Sequence, residues 1–296
     1  MKKFIKSCIY FVSIIICIDI GFGLFMDYLN AHAKGGGVAK RYYIAKKSNE
    51  DILLFGSSRM SHHYVPKIIE DSLGMTCYNC GEDGNGIILS YGFLEMILKR
   101  YRPKIIIYDV YRFDIFKDDN MKYISYLKPY CSDKQVMDII VSVDPNEKIK
   151  LISNLYRYNS LCIRCIGANL KPSVNDKGYI PFKGCMKTVP EIEENEFFEV
   201  DSLKYTYITK LIEACKANNI KLICVLSPRY RGDLFSEQYK VIEDLCKIHD
   251  VPFWNFYGDE EFCNNLELFK DRTHLNNNGA ELLTYKIVSE IKLFNR

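Results

Sequence analysis

The chain predicts an α/β protein of three layers (α/β/α), a five-stranded parallel sheet with helices on both faces. Three observations predict it. Short apolar runs of strand length alternate with helical stretches of ten residues or more, a pattern that needs parallel crossovers rather than hairpins. The composition, 48% apolar and 26% charged over 296 residues, is that of a globular chain long enough for one large core or two small ones. The charge is also nearly balanced. Lys2, Lys3 and Lys6 less Asp19 account for +2 of the formal +3, so residues 27–296 carry a net +1. That balance lacks the basic footprint of a nucleic-acid binder, and no nucleic-acid partner is expected.

The first element is a membrane segment. Ser7 to Met26 reads SCIYFVSIIICIDIGFGLFM, with Asp19 its single charge. As a helix rising about 1.5 Å per residue it spans roughly 30 Å, the thickness of a bilayer core. Lys2, Lys3 and Lys6 precede it, so the positive-inside rule leaves the N-terminus in the cytoplasm and the rest of the chain outside. Residues 1–26 are therefore read as an N-terminal membrane anchor. The alternative is a cleaved signal, since Cys8–Ile18 has signal-peptide length and Ala31-His32-Ala33 resembles a small-residue cleavage site. In that case the protein is secreted. Asp19 is costly if it faces lipid, and is expected against a partner helix or near the outer interface.

Residues 27–50 read as a polar linker, most flexible at Gly35-Gly36-Gly37, and residues 51–296 as the main domain. Asp51–Phe55, Met75–Tyr78, Lys104–Val110, Lys221–Leu226 and Pro252–Phe256 are the five strands; KIIIYDV is the clearest. Val65–Leu73, Gly86–Tyr101, Ser202–Asn218, Phe235–His249 and Asn277–Leu293 carry helical spacing. Between Phe116 and Val200 the alternation stops. This insertion (116–200) follows the third strand and is mainly helical, over Ser132–Val143 and Pro145–Tyr158. It is expected over the C-terminal edge of the sheet, where open α/β sheets bind ligands, as a lid or substrate cap. Asp176–Pro181 within it is either a substrate-facing loop or a plain turn.

The twelve cysteines identify no function. Cys77/Cys80 and Cys162/Cys165 have the CxxC spacing of zinc or redox sites, but Cys215, Cys224 and Cys246 lie where a small apolar residue serves equally well. Buried thiols are the main reading, with at least one disulfide as the alternative, and neither a metal nor a cofactor is expected.

Two patterns carry chemistry. The first strand runs into Gly56-Ser57-Ser58-Arg59, which presents a serine on a sharp turn at the strand's C-terminal end. Far along the chain, Asp271-Arg272-Thr273-His274-Leu275 precedes the last helix. Asp and His three residues apart can set a carboxylate against imidazole Nδ1–H and leave Nε2 free to take a serine proton. Ser57 and Ser58 are both candidate nucleophiles, and capping of the next helix is the plain structural role for Ser57. His62 and His63 are expected at the surface or a helix start. His249 is expected at a helix C-terminus, where a cation suits the dipole. Arg59 contacts either a substrate anion or an acidic neighbour.

These blocks resemble the SGNH (GDSL-like) hydrolase superfamily, whose fold is flavodoxin-like. The resemblance covers residues 51–114 and 201–293. It implies Ser58 as nucleophile, His274 as base and Asp271 as its orienting acid. The second block resembles Asn79-Cys80-Gly81-Glu82-Asp83-Gly84, which implies Gly84 as an oxyanion-hole glycine beside Ser58, with Gly81 as fallback; Asn79 and Arg59 are candidates for substrate binding. The third block departs from the family. Where Gly-x-Asn-Asp is expected the chain reads Tyr111-Arg112-Phe113-Asp114, so an oxyanion donor is missing unless Arg112 replaces it. No Gly-x-Ser-x-Gly elbow occurs, which argues against the ordinary α/β-hydrolases. With its N-terminal anchor, the chain looks most like the membrane-attached branch that includes the D-alanyl transfer and alginate O-acetylation proteins. That likeness implies an esterase or O-acyltransferase on acyl esters of a cell-envelope polysaccharide, with a membrane-bound O-acyltransferase as partner. An inactive binding module and a lipase or thioesterase are the alternatives.

Overall fold

The computed structural model describes residues 1–173, 175–189, 199–231 and 236–294. Two compact units form, one from residues 1–43 and 121–174, the other from 44–120 and 175–296. In chain order the helices are α1 (Lys2–Ala31), α2 (Gly36–Lys46), α3 (Ser58–His63), α4 (Pro66–Leu73), α5 (Ile87–Leu98), α6 (Met121–Ile124) and α7 (Lys134–Val143). There follow α8 (Glu147–Lys150), α9 (Asn154–Tyr158), α10 (Cys162–Leu170), α11 (Ser202–Ala217), α12 (Lys240–Ile248), α13 (Glu260–Cys263) and α14 (Asn277–Phe294). The strands are β1 (Ile52–Gly56), β2 (Cys77–Asn79), β3 (Ile105–Asp109), β4 (Lys221–Leu226) and β5 (Phe253–Asn255).

All five strands are parallel, in the order β2-β1-β3-β4-β5, which is the flavodoxin-like doubly wound order. The expected α/β class and sheet are what the larger unit contains. Alternation explains the layers. Ile52, Leu54, Ile105, Ile107, Ile223 and Val225 share one face and pack against Met60, Ile69, Leu283 and Ile287 from α3, α4 and α14. Leu53, Phe55, Ile106, Tyr108, Leu222 and Cys224 alternate with them and are just as buried, on the side of α5 and α11. A strand buried on both faces reads as a continuous apolar run, which is why KIIIYDV was conspicuous. In this register Gly56 lies opposite Asp109, and the chain leaves β1 at the carboxyl edge of the sheet.

The helical unit differs from the expected organisation. Residues 27–50 are not a linker: α1 continues to Ala31 and α2 covers Gly36–Lys46. Gly35 and Gly36 are a site of close approach rather than a flexible point. A Cβ on Gly35 would lie 2.4 Å from Ser173 O, and Gly36 N–H donates to that same oxygen at 2.9 Å. Arg41 is buried with its guanidinium 3.9 Å over the Tyr126 ring. The insertion also divides. Residues 121–173 belong with α1 and α2, whereas 175–186 return to the sheet unit. The first residue of the predicted helix Phe235–His249 lies outside the described residues; the remainder forms a 3-10 turn and α12, with His249 at its C-cap. All twelve cysteines are free thiols, and seven are buried.

Candidate active site

Gly56 adopts φ +152°, and a Cβ there would sit 2.7 Å from Asp109 O, so glycine alone lets β1 turn directly into α3 against its neighbour strand. Ser57 occupies the N-cap position, fully buried, and its Oγ has no hydrogen-bond partner; it neither caps α3 nor faces a substrate. Ser58 is the first residue of α3. From Ile52 to Tyr64 every other residue is buried, and Ser58 is the one left partly open.

Ser58 Oγ lies 2.8 Å from His274 Nε2. His274 Nδ1 lies 3.0 and 2.9 Å from the two oxygens of Asp271. Asp271 Oδ1 also accepts the backbone N–H groups of Thr273 (2.8 Å) and His274 (3.0 Å), so the side chain builds the turn that carries its own partner. Partial burial pushes the Asp271 carboxyl up, but the hydrogen bond and charge of His274, with the Thr273 donors, outweigh it and hold the group well below the usual carboxylate range. An ionised Asp271 on Nδ1 selects the tautomer that bears its proton there and leaves Nε2 as the acceptor for the Ser58 hydroxyl.

A second, fully buried network fixes this turn. Leu275 N–H donates to His63 Nε2 at 2.9 Å, which places the His63 proton on Nδ1, 3.0 Å from Ser227 Oγ. Ser227 Oγ–H donates to Asp109 Oδ2 at 2.7 Å, and Arg59 Nη2 donates to Asp109 Oδ1 at 2.9 Å and to Val110 O at 3.2 Å. The residue after the base is thereby tied to the carboxyl ends of β3 and β4 and to α3. Burial, then the charge of Arg59, pushes His63 well below its ordinary value, so it stays neutral as the Leu275 bond requires.

Several expected roles change on this geometry. Arg59 is not a substrate contact: it is entirely buried, paired with Asp109 and 4.7 Å over the Tyr111 ring. Nor does Asn79 face a ligand. Its Nδ2 donates to Met60 O (2.6 Å) and Tyr64 O (3.0 Å), and its Oδ1 accepts Gly81 N–H (3.0 Å), which braces α3. Gly81 is thus spent as an amide donor, and a Cβ on it would meet Ser61 N at 2.5 Å. Gly84 stands at φ +67° in an open turn. Arg112 is exposed in the 3-10 turn Arg112–Asp114, 5.7 Å over Phe113. Asp114 is buried, accepts Tyr108 OH (2.5 Å) and Tyr111 N–H (2.6 Å), and is pushed up to about 7, by burial against the Tyr108 bond. The third block therefore holds a turn together.

His62 and His63 are buried rather than at the surface. Both His62 nitrogens face oxygen, Nδ1 the Ile180 carbonyl at 2.6 Å and Nε2 the Asp83 carboxylate at 3.2 Å. The His62 ring stacks 3.7 Å from Phe182, which meets His274 edge-on at 5.6 Å. Phe182 was not anticipated. It lies on a strap in which Asp176–Tyr179 is a tight turn with Gly178 at φ +83°; a Cβ there would overlap Asn79 O. Backbone bonds Asn79 N–H to Lys177 O (2.9 Å), Ile180 N–H to Ser61 O (3.0 Å) and Asn277 N–H to Phe182 O (2.9 Å) stitch the strap to β2, α3 and α14. Asp176–Pro181 is thus a turn and a site border at once. Its signal in sequence was only the Asp-Lys-Gly turn before an aromatic pair.

No protein-family model matches this chain, and no curated protein matches it. Among solved structures it is similar to a member of the lipolytic protein G-D-S-L family from Veillonella parvula, at 14% identity and TM-score 0.43, covering 83% of this chain and 98% of that one. It is also similar to a protein assigned to the lipolytic G-D-S-L family from Desulfitobacterium hafniense, at 10% identity and TM-score 0.43, covering 81% and 98%. A protein from Streptococcus pneumonia assigned as a platelet activating factor matches at 11% identity and TM-score 0.45, covering 95% and 98%. Likeness of this extent carries no chemistry with it.

Proposed function

We propose that the protein is a serine esterase or O-acyltransferase of the SGNH type that acts, outside the cytoplasm, on acyl esters of a cell-envelope polysaccharide. One observation carries the reading: Ser58 Oγ stands 2.8 Å from the Nε2 of a histidine whose Nδ1 is held by an ionised carboxylate. Ser58 Oγ attacks the ester carbonyl as its proton passes to His274 Nε2, forming a tetrahedral oxyanion. The Ser58 N–H at the start of α3 has no partner within the helix and, with Gly84 N–H and Arg112, is the donor set proposed for that oxygen. His274 then returns the proton to the departing alcohol, which leaves the acyl group on Ser58. Attack by water completes an esterase, and attack by a sugar hydroxyl completes a transferase.

Helix α1 is long and apolar enough to cross a membrane, and this supports anchoring beside envelope polymers. A membrane-bound O-acyltransferase is the proposed partner, as donor of the acyl group. A second reading, an inactive binding module, is favoured by the third block, where Asp114 closes a turn and no asparagine amide stands. Fluorophosphonate labelling of the full chain in detergent separates the two. Labelling that disappears in Ser58→Ala and in His274→Ala is expected; a folded wild type that takes no label would overturn the enzyme reading. Polysaccharide deacetylation against acetyl transfer then divides the two activities.

A further inference from the structure

Asp19, the one charge in the apolar run, is fully occupied. Its Oδ1 accepts Ser153 Oγ–H (2.8 Å) and Leu155 N–H (2.9 Å), and its Oδ2 accepts Asn154 N–H and Nδ2–H, both 2.9 Å. The contact is close-fitted: a Cβ on Gly23, one turn further along α1, would lie 2.4 Å from Asn154 Cγ. One turn beyond that, Asp27 accepts from Arg157 (2.7 Å) and Tyr158 OH (2.6 Å). Helix α9 therefore begins at Asp19 and follows α1. Before Asp19, residues 1–18 of α1 are exposed on every side.

The turn from α8 to α9 is unusual in what it leaves outside. Its polar groups are consumed internally: Glu147 is fully buried and pairs with Lys128 (2.8 Å) and Lys150 (3.2 Å) and accepts Tyr156 OH (2.5 Å). Ile149, Ile152 and Leu155 are left on its outer surface, 72%, 78% and 46% exposed, with Asn146, Lys148 and Lys150 exposed beside them. If Ser7–Met26 fills a hydrocarbon core of about 30 Å, Asp19 stands about 10 Å inside its outer edge. Leu155 is bonded to Asp19 through its own backbone, so the turn lies at the same depth.

The geometry points to the α8–α9 turn as a second membrane element: Ile149, Ile152 and Leu155 enter the outer leaflet, held there by the Asp19 cluster. This rests on α1 spanning the bilayer. The lipid leaflet is the occupant because the hydrogen bonds fix the apolar residues to the depth of α1, continuous with its own lipid-facing surface. Asp19 thereby meets four donors instead of hydrocarbon, and Lys148 can reach the headgroups along its stem.

The test is tryptophan quenching by mid-chain-brominated phosphatidylcholine in vesicles that hold the full chain. The parent carries a single tryptophan, Trp254, whose signal is subtracted. Ile152→Trp is compared with Ile14→Trp, inside α1, and with Lys171→Trp, at the C-cap of α10. Loss of intensity at 152 and 14 but not at 171 is expected. Quenching at 14 alone overturns the insertion while leaving the anchor in place, and assigns the patch to a protein partner. No quenching at 14 overturns the anchor, and the insertion with it.

Discussion

His63 offers a test in which the size of the effect follows from the hydrogen bonds. It is fully buried, accepts Leu275 N–H through Nε2 and donates to Ser227 through Nδ1, with Arg59, His62 and His274 as the neighbouring charged or titratable groups. Its folded value is depressed, whereas in the unfolded chain it titrates near ~6.5. Below that pH the unfolded state binds a proton that the folded state refuses, so stability is lost as pH falls. At about 1.4 kcal/mol per pH unit, the loss between pH 7 and 5 is about 2 kcal/mol. Asp114 acts in the opposite sense: its raised carboxyl favours the folded state as pH falls below about 7, so the wild-type profile alone hides the His63 contribution. The comparison with His63→Gln cancels Asp114. At pH 7 the variant is expected to be less stable by about 1–3 kcal/mol, the cost of an unpaired Leu275 N–H in a buried setting. At pH 5 that gap should close by about 2 kcal/mol. Urea unfolding in mild detergent, followed by Trp254 on β5, reads both numbers. A gap that stays constant from pH 7 to 5 would refute the assigned tautomer and the neutral buried His63.

Two further outcomes follow from the same geometry. Asp271→Asn keeps the turn but favours the wrong His274 tautomer, and ester turnover should fall by roughly 10⁴, as such sites do when the orienting carboxylate is lost. Because the Asp271 value is depressed, its contribution to stability is complete above about pH 4 and is lost only as pH falls through the lower folded value, so an acid limb at pH 4–5 that vanishes in the variant would contradict the assignment. Gly81→Ala drives a methyl to within 2.5 Å of Ser61 N and 2.8 Å of Met60 Cβ, so α3 must shift and carry Ser58 with it. A loss of about 1–3 kcal/mol with weakened fluorophosphonate labelling is expected. Gly84→Ala meets open space and should cost only about 1 kcal/mol for its left-handed backbone; equal costs in thermal unfolding would refute the packing argument.

Much of the fold was legible because burial leaves a periodic trace. ILLFG and KIIIYDV are apolar on both faces, and that is what a central parallel strand requires. The DxxH spacing was legible too, since an Asp accepting backbone N–H groups two and three residues ahead is a local event. The linker reading failed on Gly35-Gly36-Gly37, where Gly35 and Gly36 serve close packing against Ser173; flexibility and close approach leave the same letters in a sequence.

Sequence alone determined the alternation of strands and helices, the apolar helix α1, the turn residue Gly56 and the two blocks that hold Ser58 and His274. Only tertiary structure decided what the polar residues do. Ser58 and His274 meet across 216 residues. Arg59, beside the nucleophile, turns inward to Asp109; His63 holds the base loop; Phe182, from a segment with no regular signal, borders the base. The physical reason is that an apolar residue needs only to be out of water, which a local pattern records. A polar group needs a particular partner at about 3 Å, and that partner stands wherever the fold brings the chain back.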